Sequence, residues 1–144
     1  MTITNHNKVR SIRIPRFMLR VPTALPSTLC ILAILWLTLA PMPTGDVQVS
    51  LFPGADKVVH ATMFFGLSFC FCFDWWRLHI SRTYRRVLSS LLCAVTASII
   101  GIGIEFLQDA FQMGRSFELW DMTADCAGAF LAAALIMNFP FRNR

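Results

Sequence analysis

Charged residues are scarce in this sequence. Only 15% of its 144 residues are Asp, Glu, Lys or Arg, against about 25% in an average soluble domain. Hydrophobic residues make up 56%, which argues against a water-soluble globule. Four stretches contain no charged residue at all: 21–45, 58–73, 87–104 and 126–141. The scarcity of charge therefore predicts an integral membrane protein.

Other features are missing as well. The five cysteines show no paired spacing typical of a metal or redox motif, so we interpret them as small hydrophobic residues; they are Cys30, Cys70, Cys72, Cys93 and Cys126. The net charge of +5 comes from separate clusters rather than one basic face, which argues against nucleic-acid binding. Without an internal repeat, a monomeric carrier built from repeated halves is also disfavoured.

Each uncharged stretch, of 16 to 25 residues, forms the centre of a candidate membrane-crossing helix, which needs about 20 largely apolar residues. The sequence therefore predicts an all-α integral membrane protein, a bundle of four transmembrane helices. A basic tail over residues 1–20 would precede a transmembrane domain over 21–144. The predicted helices lie at approximately 22–40, 56–76, 87–110 and 118–139.

The distribution of Lys and Arg predicts the orientation of the bundle. The N-terminal tail has five, the first loop none before Lys57, the second loop four, the third loop one and the C-terminal segment two. Because loops rich in Lys and Arg stay in the cytoplasm, both termini and the second loop are predicted to be cytoplasmic. The first and third loops then lie outside.

Ionisable residues are predicted near the outer ends of the last three helices. Counting about 20 residues from the inner end of each helix places His60 and Asp125 within the apolar layer and Glu105 at its rim. Ionisable groups at that depth normally face a bundle interior and pair with one another. These side chains are therefore expected to converge.

Helical spacing also favours convergence, because polar residues recur three or four positions apart on each helix. The pairs are Asp56 and His60, Glu105 and Gln108, and Asp121 and Asp125. Small residues continue the same faces towards the inner side, at Ala97 and Gly101 and at Ala124, Gly128 and Ala132. Such patterns let helix backbones approach closely. They predict a tight inner seam that opens into an acidic outer pocket.

Simpler roles exist for several of these residues. Asp56 and Asp121 could be helix caps, and Lys57 and Arg115 could be interfacial anchors whose charged ends reach the headgroups. His60 could form a hydrogen bond across the bundle and nothing more. Glu105 has no capping role, because it follows an apolar helical stretch, and we favour a functional role for it.

An ordered set of residues resembles a known family. In chain order these are Asp56-Lys57-x-x-His60, Phe64, Leu67, Glu105-x-x-Gln108, Gly114-Arg115 and Asp121-x-x-x-Asp125-x-x-Gly128. The set spans about half of the chain and closely resembles the VanZ-like family of small bacterial membrane proteins. Asp125 departs from the family pattern, which more often has Asn there. The resemblance implies a multi-pass protein of the bacterial cytoplasmic membrane, in a family whose founding member is associated with teicoplanin resistance.

The resemblance supplies no established reaction, so three hypotheses about function follow from the residues. In the first, an outward-facing site acts on a lipid-linked cell-wall precursor or a lipid headgroup. Its predicted catalytic residues are Glu105 and His60 as general acid and base, with Asp121 and Asp125 orienting His60 or holding a cation. Its predicted substrate-binding residues are Asp56, Lys57, Gln108 and Arg115, where Lys57 and Arg115 would hold a phosphate or carboxylate.

The second hypothesis is a non-catalytic protein that binds or shields a cell-wall precursor or an amphiphilic drug. The third is a proton-coupled carrier, which would need an oligomer because four spans without a repeat are too few for a monomer. No cofactor is predicted, although one His with several carboxylates is chemically sufficient for a divalent cation. The oligomeric state is left open.

Overall fold

The computed structural model describes residues 20–39, 52–78, 84–111 and 118–138. These residues form four helices: α1 at Leu25–Leu39, α2 at Ala55–Leu78, α3 at Tyr84–Ala110 and α4 at Leu119–Asn138. The described part of the chain contains no strand, so the all-helical prediction is confirmed. Three helical segments are long and apolar enough to cross a membrane, namely Ala55–Leu78, Arg86–Ala110 and Leu119–Asn138.

The first helix is shorter than predicted. Ala24 has a φ of 70°, a left-handed conformation that cannot continue a right-handed helix. Helix α1 therefore begins at Leu25 rather than near residue 22. Its 15 residues rise about 22 Å, which is less than the roughly 30 Å of a hydrocarbon core. The other three helices begin and end within about three residues of their predicted bounds.

Contacts between residues establish the directions of the helices. Along α2, Lys57 contacts Asp121 and Ala61 lies against Gly128 of α4, so these two helices run in the same direction. His60 lies beside Glu105 of α3, and Phe64, one turn further along α2, lies against Gly101, one turn earlier in α3. Helix α3 therefore runs opposite to α2 and α4. Helix α2 packs chiefly against α4, and α4 packs also against α3.

The closest helix contact depends on a glycine. A Cβ atom added at Gly128 would lie 1.9 Å from the carbonyl oxygen of Ala61, so only a residue without a side chain fits. The neighbouring small residues Ala129, Ala132 and Ala133 are also buried. Gly128 and Ala132 belong to the predicted stripe of small residues, and the close packing at Gly128 is typical of helix pairs in membranes.

Large apolar side chains cover much of the outside of the bundle. Phe64 and Leu67 are fully buried, yet Trp36, Ile99 and Trp120 are each more than 60% exposed. An extensive exposed apolar surface is unusual for a monomeric soluble protein. It favours lipid as the surroundings of these helices.

Helix α1 is attached to its neighbours by polar contacts near both of its ends. Near its start, the Ser27 hydroxyl donates a hydrogen bond of 2.5 Å to Asp74 Oδ2, at the end of α2. Near its end, Gln108 Nε2 in α3 donates to the Thr38 carbonyl oxygen at 2.9 Å. Helix α1 thus runs alongside the bundle from the level of Asp74 to the level of Gln108.

The close approach at Gly128 generates a stability prediction. Gly128→Ala is expected to lower the free energy of unfolding by about 1–3 kcal/mol, because the added methyl group overlaps the Ala61 carbonyl and the helices must separate. The matched control is Gly66→Ala in α2, where an added Cβ has no neighbour within 4 Å. Denaturant titration of both variants in the same detergent checks the difference. Equal stability of the two variants would contradict the close approach.

Candidate functional site

Three ionisable side chains from three helices lie at the same level of the bundle. His60 is five residues from the start of α2, Glu105 is five residues from the end of α3, and Asp125 is six residues from the start of α4. At 1.5 Å per residue, each lies about 8–9 Å along its helix from that end. The alternating directions of the helices therefore bring the three residues together. We call His60, Glu105 and Asp125 the inner cluster.

The members of the inner cluster are in close contact and almost completely buried. His60 Nδ1 lies 3.0 Å from Asp125 Oδ1 and 3.8 Å from Glu105 Oε1. Glu105 is 2% exposed and Asp125 is 1% exposed. When Nδ1 carries the proton, it donates a hydrogen bond to Asp125, which fixes the orientation of the imidazole ring. The predicted convergence of these three side chains is present in the structure.

The inner cluster has unused hydrogen-bonding capacity. Among the described residues, Glu105 Oε1 and Asp125 Oδ2 are buried and have no hydrogen-bond partner. A buried polar atom without a partner costs about 1–3 kcal/mol, so such atoms are uncommon in stable structures. These two oxygens are available to a proton, a cation or a small polar ligand.

A glycine in α3 leaves room for the Asp125 carboxylate. A Cβ atom added at Gly101 would lie 2.7 Å from Asp125 Oδ2 and 3.1 Å from Phe64 Cε1. Gly101 is one turn from Glu105 on the same helix face. The predicted small-residue stripe on α3 thus brings the backbone against the inner cluster.

A second group of charges lies nearer the end of the bundle. Lys57 Nζ is 2.7 Å from Asp56 Oδ2, 2.8 Å from Glu118 Oε2 and 3.1 Å from Asp121 Oδ1. We call these four residues the outer cluster. It is more exposed than the inner cluster, and exposed ion pairs contribute little to stability. Its formal charge is −2, from three carboxylates and one ammonium.

The outer cluster changes the interpretation of two predicted residues. Lys57 already contacts three carboxylates, so a phosphate or carboxylate ligand would have to compete with them. Asp121 contacts Lys57, whereas the hydrogen-bond partner of His60 is Asp125. Of the two aspartates predicted to orient His60, Asp125 is therefore the one in a position to do so.

The two remaining predicted residues are Gln108 and Arg115. Gln108 is buried, and its amide nitrogen donates to α1 rather than to the inner cluster. Arg115 lies outside the described residues. No role was predicted for Glu118. Its position just before α4, three residues from Asp121, is the feature of the sequence that could have indicated one. No role was predicted for Asp74, which is buried and accepts hydrogen bonds from Ser27.

Two groups of side chains within the described residues have the composition and spacing of a metal site. One is the buried inner cluster and the other is Asp56, Glu118 and Asp121; in each group the ligand atoms lie within 4.8 Å of one another. Only the inner cluster contains a histidine and is free of a competing Lys. It can exchange protons between a histidine and two carboxylates, or hold a cation.

Comparison with known proteins gives no match to this chain, whether to family models, curated proteins or solved structures. The chemistry of the site therefore has to follow from its own side chains. Their arrangement offers one nitrogen and two carboxylates in an apolar environment, with a layer of exposed charges between them and the end of the bundle.

The space beside Gly101 generates a second stability prediction. Gly101→Ala is expected to lower the free energy of unfolding by about 1–3 kcal/mol, because the new methyl group overlaps the Asp125 carboxylate and Phe64. Gly103→Ala, two residues along the same helix, has open space around the added Cβ and is the control. Thermal unfolding in detergent compares the two. A Gly103→Ala variant as unstable as Gly101→Ala would show that helix α3 tolerates neither change, and would contradict the specific contact.

Proposed function

We propose that this chain is a VanZ-like integral membrane protein of the bacterial cytoplasmic membrane. In this proposal its outward-facing site acts on a lipid-linked cell-wall precursor or a lipid headgroup. The observation that carries it is the convergence of His60, Glu105 and Asp125, from three helices, at one depth. All three belong to the ordered set of residues that resembles the family.

The proposed topology has four membrane crossings, with α1 as the first. Support comes from the polar contacts that hold α1 alongside α2 and α3 near both of its ends. Among the described residues, the bundle end opposite the inner cluster carries the arginines, which are Arg20, Arg77 and Arg86. Of the Lys and Arg residues that the structure describes, the end near the inner cluster has Lys57 alone. The positive-inside rule then favours a cytoplasmic arginine-rich end and an outward-facing site.

The proposed chemistry is general acid–base catalysis. His60 accepts or donates a proton at the reacting group, and Asp125 holds the ring in orientation through Nδ1. Glu105 supplies a second proton-transfer group 3.8 Å from the same nitrogen. The outer cluster lies between this centre and the headgroup region, at the level where a lipid headgroup would enter. Its net negative charge favours a substrate that carries a cationic group or arrives with a bound cation.

A second candidate function is binding without catalysis. The observation that favours it is burial: each residue of the inner cluster is less than 10% exposed, so a substrate reaches it only if the helices open. In this case the inner cluster supports the bundle and the outer cluster binds a cell-wall precursor or an amphiphilic drug such as teicoplanin.

An inventory of membrane lipids and lipid-linked wall precursors tests the proposal. Mass spectrometry would compare otherwise identical cells that lack the protein, carry it, or carry the Glu105→Gln variant. The matched control is Asp109→Asn, because Asp109 is one turn away on the same helix and is exposed. We expect one lipid species to change with the native protein and the control, and not with Glu105→Gln. Loss of a general acid or base lowers rates by about 10²–10⁴-fold.

The other outcomes are equally informative. An inventory that is the same in all four strains contradicts the catalytic proposal. If those strains then differ in teicoplanin susceptibility, the binding function is favoured. If Glu105→Gln and Asp109→Asn have the same effect on the inventory, Glu105 has no specific part in the reaction.

A further inference from the structure

We infer that the inner cluster binds one divalent transition-metal ion, of the class to which zinc belongs, through His60, Glu105 and Asp125. The inference rests on the proposed function for the identity of the substrate, and it makes His60, Glu105 and Asp125 metal ligands in place of their acid–base roles. Metal binding itself is tested without any substrate.

The separations of the candidate ligand atoms suit a small metal ion. Zinc bonds to imidazole nitrogen and carboxylate oxygen are about 2.0–2.2 Å long, so the ligands of a tetrahedral ion lie about 3.3–3.5 Å apart. His60 Nδ1 is 3.0 Å from an oxygen of Asp125 and 3.8 Å from an oxygen of Glu105. These distances lie on either side of the tetrahedral value. The ligand atoms of the three side chains, including the carboxylate oxygens of Glu105 and Asp125, all lie within 4.8 Å of one another.

The charge of the cluster calls for a cation. Two carboxylates are buried at one level of an apolar bundle, and within the described residues their ion pairs run only to His60. Lys57, the nearest described Lys or Arg, is occupied by the carboxylates of the outer cluster. Buried charges normally pair with one another or coordinate metals. One divalent ion with a neutral His60 would bring the inner cluster to zero net charge.

The unpartnered oxygens are an independent observation. Glu105 Oε1 is buried and has no hydrogen-bond donor in the described residues, yet it faces the same nitrogen that contacts Asp125. Asp125 Oδ2 is also buried without a partner. A metal ion between the three side chains would coordinate Glu105 Oε1 directly. It would also replace the proton that His60 Nδ1 and Asp125 Oδ1 need between them for a hydrogen bond.

The ligand types narrow the choice of metal. Calcium takes six to eight oxygen ligands and magnesium keeps several waters, and neither prefers a buried imidazole. A histidine with carboxylates suits zinc and its first-row neighbours. Three protein ligands leave a coordination position open, as in catalytic rather than structural zinc sites. That position could take a phosphate or carboxylate oxygen of the substrate. Lys57 is less available to such a group, because it already contacts three carboxylates.

Metal titration of the purified full chain tests the inference. The protein would be stripped of metal in lipid nanodiscs, titrated with Zn²⁺ against a chromophoric chelator, and its zinc content measured by mass spectrometry. We expect one Zn²⁺ per chain. Replacing even an outer-shell partner of a metal ligand typically costs 10–100-fold in affinity, so Glu105→Gln and Asp125→Asn should each weaken binding by at least about 100-fold. The exposed Asp109→Asn variant should leave the affinity unchanged.

X-ray absorption spectroscopy of zinc bound to the wild-type protein identifies the ligand atoms directly. It therefore tests the inference even if the variants fail to fold. A zinc ion in the inner cluster has only nitrogen and oxygen neighbours, at about 2.0–2.2 Å, whereas adventitious binding to cysteines gives sulfur at about 2.3 Å. Sulfur neighbours, the absence of bound Zn²⁺, or an affinity that Glu105→Gln and Asp125→Asn leave unchanged would each overturn the inference.

Failure of this inference can be told apart from failure of the proposed function. A lipid inventory that depends on Glu105, in a protein that binds no Zn²⁺, would support acid–base chemistry and overturn the metal site. Stoichiometric zinc in the inner cluster, with an inventory that never changes, would support the metal site and contradict the catalytic proposal.

Discussion

The contact between Gly128 and the Ala61 carbonyl sets the separation of α2 and α4, and the inner cluster depends on that separation. His60 precedes Ala61 by one residue, and Asp125 precedes Gly128 by three, so the glycine contact brings the imidazole within hydrogen-bond distance of the carboxylate. Gly101 has a similar effect from α3, where the missing side chain makes room for Asp125. Small residues therefore position the ionisable ones, because only close backbones can bring short polar side chains together inside an apolar bundle.

The polar end of the bundle has two layers with different physical properties. In the outer cluster, Lys57 contacts three carboxylates close to the helix ends, where water and lipid headgroups can compete for each charge. In the inner cluster there is no lysine or arginine among the described residues, and burial makes every unpaired charge expensive. Exchange of a charged partner therefore costs less in the outer cluster than in the inner cluster. A proton or a metal ion is the species that the inner cluster can accommodate without the helices separating.

Much of the fold followed from the sequence, because long uncharged stretches and helical spacing report directly on helix positions and faces. The convergence of His60, Glu105 and Asp125 followed from the same reasoning, since ionisable groups at one depth pair inside a bundle. Spacing along a single helix does not determine which neighbour that helix faces. Gln108 shares a helical face with Glu105 but contacts α1, and the Lys57 partner Glu118 lies just before a helix. The late start of α1 depends on the backbone conformation of Ala24, which has no signal in a hydropathy pattern.

The direct interaction between His60 and Asp125 holds the inner cluster together within the bundle. A double-mutant cycle tests it, with His60→Asn and Asp125→Asn measured singly and together by denaturant unfolding in one detergent. Residues in contact show interaction energies of about 0.5–3 kcal/mol, whereas independent sites add to within about 0.3–0.5 kcal/mol. The account predicts coupling in the contact range for this pair and additivity for His60→Asn with Asp109→Asn. Additive effects of His60→Asn and Asp125→Asn would contradict it.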